Sequence, residues 1–308
     1  MPGLAGRILR VIADPVAQVE LFAIGNLAFL AVDVFVAHSI NAFAHPAEWI
    51  PMAFSLMAPA MLVVAMAARG GVAPTGGPMQ ELSRRGQRLS RVLCVLVGGG
   101  SILVGVAGLL WHLESQFFQA QTLRSLVYTA PFVAPLSYTG LGLLVLLNRW
   151  PPPDRLDWAR WVLVLALGGF VGNFILAAAD HAQGGLLDWR EWIPVVSAAV
   201  AVGALVAAVV HFRNRPFLDL CLGLMLAQIV VALTGAVLHI AAIRESAMDS
   251  LRDRILYSAP LFAPLLFADL AILAGIALWL LRQSALLEQS NRIRNESLDG
   301  TNGEPLGY

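Results

Sequence analysis

Four histidines stand at matched places in this sequence, and imidazole is well suited to bind a transition metal or move a proton near neutral pH. His38 and His112 fall in the first half, His181 and His239 in the second. A glutamate accompanies each pair: Glu48 in Glu48-Trp-Ile-Pro51 and Glu191 in Glu191-Trp-Ile-Pro194. Two imidazoles and a carboxylate make a donor set for Zn, Fe or Cu. His38, His112 and Glu48, with His181, His239 and Glu191, are therefore the candidate metal ligands. Two imidazoles facing each other across a helix bundle suit the iron of haem b instead. Gly108 and Gly235 stand four residues before His112 and His239, one turn back on the same helical face. Such a glycine admits a flat cofactor, or simply lets two helices pack closely. A third reading needs no cofactor: interfacial imidazoles bonded to loop carbonyls, or titrating with external pH. The sequence leaves these readings open.

Two aspartates point to different chemistry. Asp33 and Asp269 lie inside apolar stretches, where an ionisable group is costly and is a functional candidate by default. A carboxylate pair inside a bundle suits coupling of a proton or cation to transport. The structural alternative is a protonated Asp bonded to a neighbouring helix, with Asn26, Ser101, Asn173 and Gln228 as available partners. Cys94 and Cys221 fall in apolar segments and imply no disulfide framework. No nucleotide-binding loop, Ser-His-Asp arrangement or HExxH helix is present.

The elements that must position these residues follow from composition. Only 13% of the 308 residues are charged and 58% are hydrophobic, with mean hydropathy +0.73. A soluble domain has about a quarter of its residues charged, so this surface must largely face lipid. A bilayer core takes about 20 apolar residues per helix. Eight segments qualify: 16–38, 50–68, 93–113, 129–147, 158–180, 193–210, 218–241 and 258–281. Tyr128 and Tyr257 open two of them with Tyr-x-Ala-Pro, which places Pro131 and Pro260 in the first helical turn. Residues 283–308 are polar and are expected to be a disordered tail.

The halves match in order. Adding 143 carries His38 to His181 and Glu48 to Glu191. Adding 127 carries Cys94 to Cys221 and His112 to His239, and adding 129 carries Tyr128 to Tyr257 and Pro135 to Pro264. Asp33 and Asp269 match Leu176 and Gly140, so neither is repeated. The expected fold is an all-α integral membrane protein with eight transmembrane helices as two tandem parallel four-helix repeats. The first repeat is 1–150 and the second 151–282, followed by the tail.

Fifteen arginines flank helix ends on the N-terminal side and five on the other, which places both termini in the cytoplasm. No cleaved signal peptide is read, and the location expected is a cell membrane, that of a bacterial inner membrane. Zero net charge argues against a nucleic-acid partner. The expected partners are the lipid bilayer and another membrane subunit or redox partner. The leading functional expectation is a duplicated histidine-lined site at the extracytoplasmic face, holding haem or a metal ion for electron transfer. The alternatives are a small-solute or ion transporter using Asp33 and Asp269, and a non-catalytic membrane scaffold subunit.

Overall fold

A computed structural model describes residues 13–69, 78–128, 130–150 and 154–301, with backbone alone for 78–83, 123 and 288–301. The described residues are helices and short links, with no strand among them. In chain order the helices are α1 Pro15–Ser39, α2 Trp49–Arg69, α3 Pro78–Glu114, α4 Phe117–Ala120, α5 Leu123–Tyr128, α6 Leu136–Arg149, α7 Arg155–Gln183, α8 Trp192–Val210, α9 Arg215–Glu245, α10 Leu251–Tyr257 and α11 Leu265–Thr301. Single 3-10 turns, Pro46–Glu48 and Trp189–Glu191, lead into α2 and α8. The starts have ordinary chemical causes. Asp14, Asp154 and Asn214 cap α1, α7 and α9 by accepting from first-turn backbone N–H groups. Pro15 and Pro216 occupy first-turn positions where a missing N–H costs nothing.

Among the described residues, seven helices are long and apolar enough to cross a membrane: Pro15–Ser39, Pro46–Arg69, Arg84–Glu114, Arg155–Gln183, Trp189–Val210, Arg215–Glu245 and Leu265–Leu287. Their outward faces carry side chains such as Leu103, Leu226 and Val237, each at least 66% exposed, a surface that suits lipid. The protein is thus an all-helical chain whose apolar helices call for a bilayer.

Three expectations need correction. The segment 129–147 is helical only from Leu136, and 14 residues are too few to cross a hydrocarbon core as a helix. Tyr128 and Tyr257 do not open the long helices; they end the short helices α5 and α10. Proline is the reason: Pro131 and Pro135 lack the N–H that a continuing helix requires. The chain there advances by i to i+3 turns, with Ala134 N–H donating to Pro131 O at 3.1 Å and Leu136 N–H to Val133 O at 2.9 Å. The stretch before α11 does the same, with Leu265 N–H donating to Phe262 O at 3.0 Å. Pro131 and Pro260 therefore precede α6 and α11 rather than sitting in their first turns. The expected tail also differs, because α11 continues through 283–301. Leu281 and Ala285 stay buried four residues apart, which carries the apolar stripe past residue 281, the expected end of this segment.

Packing closes α1, α2, α3 and α6 into one ring, and α7, α8, α9 and α11 into another. Each ring has its own apolar core. One is built on Leu27, Leu62, Val97 and Tyr138, the other on Phe170, Leu205, Leu218 and Leu278. Small residues let α3 and α6 approach: a Cβ on Gly142 would lie 2.5 Å from Gly98 O. The rings meet along α6–α7 and α1–α11. Trp158 Nε1 donates to Asn148 Oδ1 at 3.1 Å across the first seam, and Asn26 Nδ2 to Asp269 Oδ1 at 2.9 Å across the second. Phe29 meets Phe262 edge-on at 5.1 Å.

Candidate functional site

His38 lies in the last turn of α1 and His112 in the last turns of α3, so the antiparallel course of the ring brings both to one end. Their ring centroids are 6.2 Å apart and their planes cross at 72°. Each Nδ1 has an oxygen beside it. His112 Nδ1 lies 2.9 Å from Pro131 O, and His38 Nδ1 lies 3.6 Å from Glu48 Oε2. Glu48 is held in turn by Asn41, whose Nδ2 donates to Oε1 at 2.7 Å. Its Oε2 is buried and makes no hydrogen bond among the described residues.

The loop after α1 is shaped for this arrangement. Ala42 and Phe43 both adopt left-handed backbone, with φ of 55° and 54°. Non-glycine residues there cost roughly 1–3 kcal/mol each, so the surroundings must hold them. Phe43 stacks on Trp49 at 4.4 Å and stands 5.9 Å from the His38 ring. Phe43 N–H donates to His38 O at 3.1 Å, which ties the loop to the last turn of α1.

The second ring repeats part of this geometry. His239 Nδ1 lies 2.7 Å from Pro260 O. His181 interacts electrostatically with Glu191 and with His239, so these three gather at the same end of their ring. Glu191 Oε2 is buried without a hydrogen bond among the described residues, as Glu48 Oε2 is. Asp180, not singled out in the sequence, also interacts with His239. Its only sequence signal is an acidic residue beside a candidate histidine.

The proline carbonyls explain much of the local design. A carbonyl oxygen has two lone pairs, and Pro131 O takes Ala134 N–H on one at 3.1 Å and has the other for an imidazole. An imidazole Nδ1–H fills it, which makes Nε2 the basic nitrogen. Ligand histidines in metalloproteins are commonly fixed this way, by a carboxylate or a backbone carbonyl on the far nitrogen. Two metal–nitrogen bonds of about 2 Å would put the ring centroids of a ligand pair about 6 Å apart.

Other expected residues have different roles. A Cβ on Gly108 would lie 2.8 Å from Pro135 Cβ, and one on Gly235 would lie 3.0 Å from Pro264 Cβ. Both glycines thus face a proline ring, the close-packing role. Among the described residues, no group of three His, Cys, Asp or Glu side chains is placed to hold a metal ion. Glu48 instead stands behind the His38 ring, on its Nδ1 side. Asp33 and Asp269 are not brought together: no hydrogen bond or ion pair joins them among the described residues. Asp269 bonds Asn26, two turns from Asp33 along α1. Asp33 lies near Tyr138, whose hydroxyl is 2.5 Å from Ser55 Oγ. Gln228 Nε2 donates to Ser197 O at 2.9 Å, while Ser101 Oγ and Asn173 Nδ2 are buried without partners among the described residues.

Sequence reasoning missed a charged cluster at the opposite end of the first ring. Glu20, 5% exposed, is bonded by Arg69 and lies 3.8 Å from Arg149. A carboxylate inside an apolar segment was its signal. Comparison with protein-family models, curated proteins and solved structures finds no match for this chain.

Proposed function

We propose that each ring holds an imidazole-ligated transition-metal centre, His38 with His112 in the first and His181 with His239 in the second, and that these centres carry electrons. The observation that carries this reading is the paired anchoring of Nδ1. It orients the His112 and His239 rings from one nitrogen through a backbone carbonyl, the way ligand histidines are commonly held. The 6.2 Å spacing of His38 and His112 fits ligation of one ion between them. Haem iron is the centre favoured, because a porphyrin would supply the remaining ligands that no third side chain among the described residues provides. Glu48 stands on the Nδ1 side of the His38 ring, where an orienting carboxylate stands behind a ligand histidine.

In this reading the chain crosses the membrane eight times, as two parallel four-helix copies. The two proline-broken segments before α6 and α11 serve as equivalent spans, each entering the bilayer before its helix begins. Both termini face the cytoplasm of a bacterial cell, and the histidines face outward, as the arginine distribution favours.

Purified protein should show a Soret band, with two equivalents of iron per chain. His112→Leu and His239→Leu should each remove one equivalent and leave the other. Stoichiometric metal without a Soret band would assign a bare ion to the same pairs. Absence of both, in protein prepared from cells supplied with iron and haem precursor, would overturn the reading.

A further inference from the structure

The end of the first ring away from the histidines holds charge that the proposed metal centres do not use. Arg69 ends α2 and donates to Glu20 of α1. Arg149 ends α6, and its Nη2 donates to Ser90 Oγ at 2.9 Å and to Cys94 Sγ at 3.1 Å. Arg149 Nε is buried and has no hydrogen-bond partner among the described residues. A crevice lined by Glu20, Leu62, Cys94, Val145, Asn148 and Arg149 adjoins these groups. One carboxylate between two guanidiniums leaves one positive charge over, in a setting of low dielectric.

The other ring provides a control, on the reading that the halves are copies. Glu20, Arg69 and Arg149 then match Leu163, Phe212 and Leu278. Leu163 and Leu278 are fully buried, together with Leu205 and Cys221, the matches of Leu62 and Cys94. The same bundle end closes there with apolar side chains at its centre, while Arg160 stacks on the Phe212 ring at 4.3 Å with its Nε also buried and unbonded among the described residues. Buried ion clusters are seldom more stable than well-packed apolar replacements. Stability alone does not account for the charges.

We infer that Arg69 and Arg149 bind a phosphate-type oxyanion, supplied either by the headgroup of an anionic phospholipid or by free phosphate. The excess positive charge asks for an anion, and the unpartnered Arg149 Nε asks for an acceptor. Guanidinium forks match phosphate oxygens in pairs. The Arg69 side chain is 33% exposed and that of Arg149 11%, so an anion enters the cluster past Arg69. Glu20 holds both guanidiniums in place before the anion arrives, which lowers the ordering cost of binding.

The full chain in neutral detergent can be titrated with phosphatidylglycerol, phosphatidylcholine or inorganic phosphate. Bound lipid is read by native mass spectrometry, and the thermal midpoint by fluorescence. Phosphatidylglycerol should bind at least about tenfold more tightly than phosphatidylcholine and raise the midpoint. The variant E20L/R69F/R149L, which carries the second ring's residues, should fold and lose that preference. R149Q keeps the bulk of the side chain and should weaken anion binding at least about tenfold. A response to phosphate as well as lipid assigns the site to the free oxyanion; a response to lipid alone assigns it to the headgroup. The inference is overturned if wild-type protein prefers neither anion, or if R149Q keeps the full preference. A triple variant that fails to fold, with R149Q still losing the anion, would count against the matched halves and not against the site. Neither outcome bears on the visible spectrum that tests the metal centres.

Discussion

The two rings agree at one end and differ at the other. At the histidine end, His112 and His239 each approach a proline carbonyl, at 2.9 Å and 2.7 Å. At the far end, the first ring buries Glu20 between arginines while the second buries Leu163, Leu205 and Leu278. One helix arrangement thus tolerates a charged or an apolar closure. The charges occur in one ring only, whereas the histidine–carbonyl geometry occurs in both.

The comparison can be broken most sharply at the charged end. Replacing both cations, R69Q/R149Q, strands Glu20 in the core and should cost about 3–5 kcal/mol in denaturant unfolding of the micellar protein. Removing all three charges in E20L/R69F/R149L should cost far less. If the double and triple variants lose stability equally, the far end of the first ring is a structural ion cluster and the contrast with the second ring disappears. At the agreeing end, Gly108→Ala and Gly235→Ala each push a methyl against a proline ring. About 1–3 kcal/mol of destabilisation is expected for each. The loss should be larger for Gly108, where the proline carbon is nearer, and the same unfolding assay checks the order. The seam between the rings should respond least. Asn26→Leu deprives Asp269 of its donor and should cost about 1 kcal/mol in thermal unfolding, since water can replace the lost bond at a half-buried carboxylate.

The broad architecture was legible because membrane helices are written in long apolar runs, and the positions of seven such helices follow from hydropathy alone. The start of α6 was not. Proline is compatible with the apolar run 129–147, so hydropathy counts residues that the helix cannot use. The same blindness placed Tyr128 and Tyr257 at the heads of long helices instead of the tails of short ones. At the site, the four histidines were visible by type and spacing. The acceptor of His112 is a backbone carbonyl, and carbonyls have no signature in a sequence. Gly108 and Gly235 were marked as room for a cofactor or for close helix packing, and only coordinates reveal that a proline ring stands beside each. Glu20 escaped because one carboxylate in α1 gains its meaning from Arg69 and Arg149, which the ring brings beside it from other helices. The helical continuation beyond residue 283 was masked by its polar composition, although Leu281 and Ala285 keep the apolar period.

The rings are fastened at three levels. Asn148 joins Trp158 near the charged end, Asn26 joins Asp269 midway, and Tyr257 Oη reaches Ile40 O at 3.5 Å near the histidine end. A plate pinned at one level can rock, and one pinned at two can still twist. Three fastenings spread over the length of α1 resist both motions. The placement of one histidine pair relative to the other is therefore tied at each of these levels. On the proposal that each pair holds a redox centre, such bracing would keep the separation of the two centres, and with it the rate of transfer between them, constant.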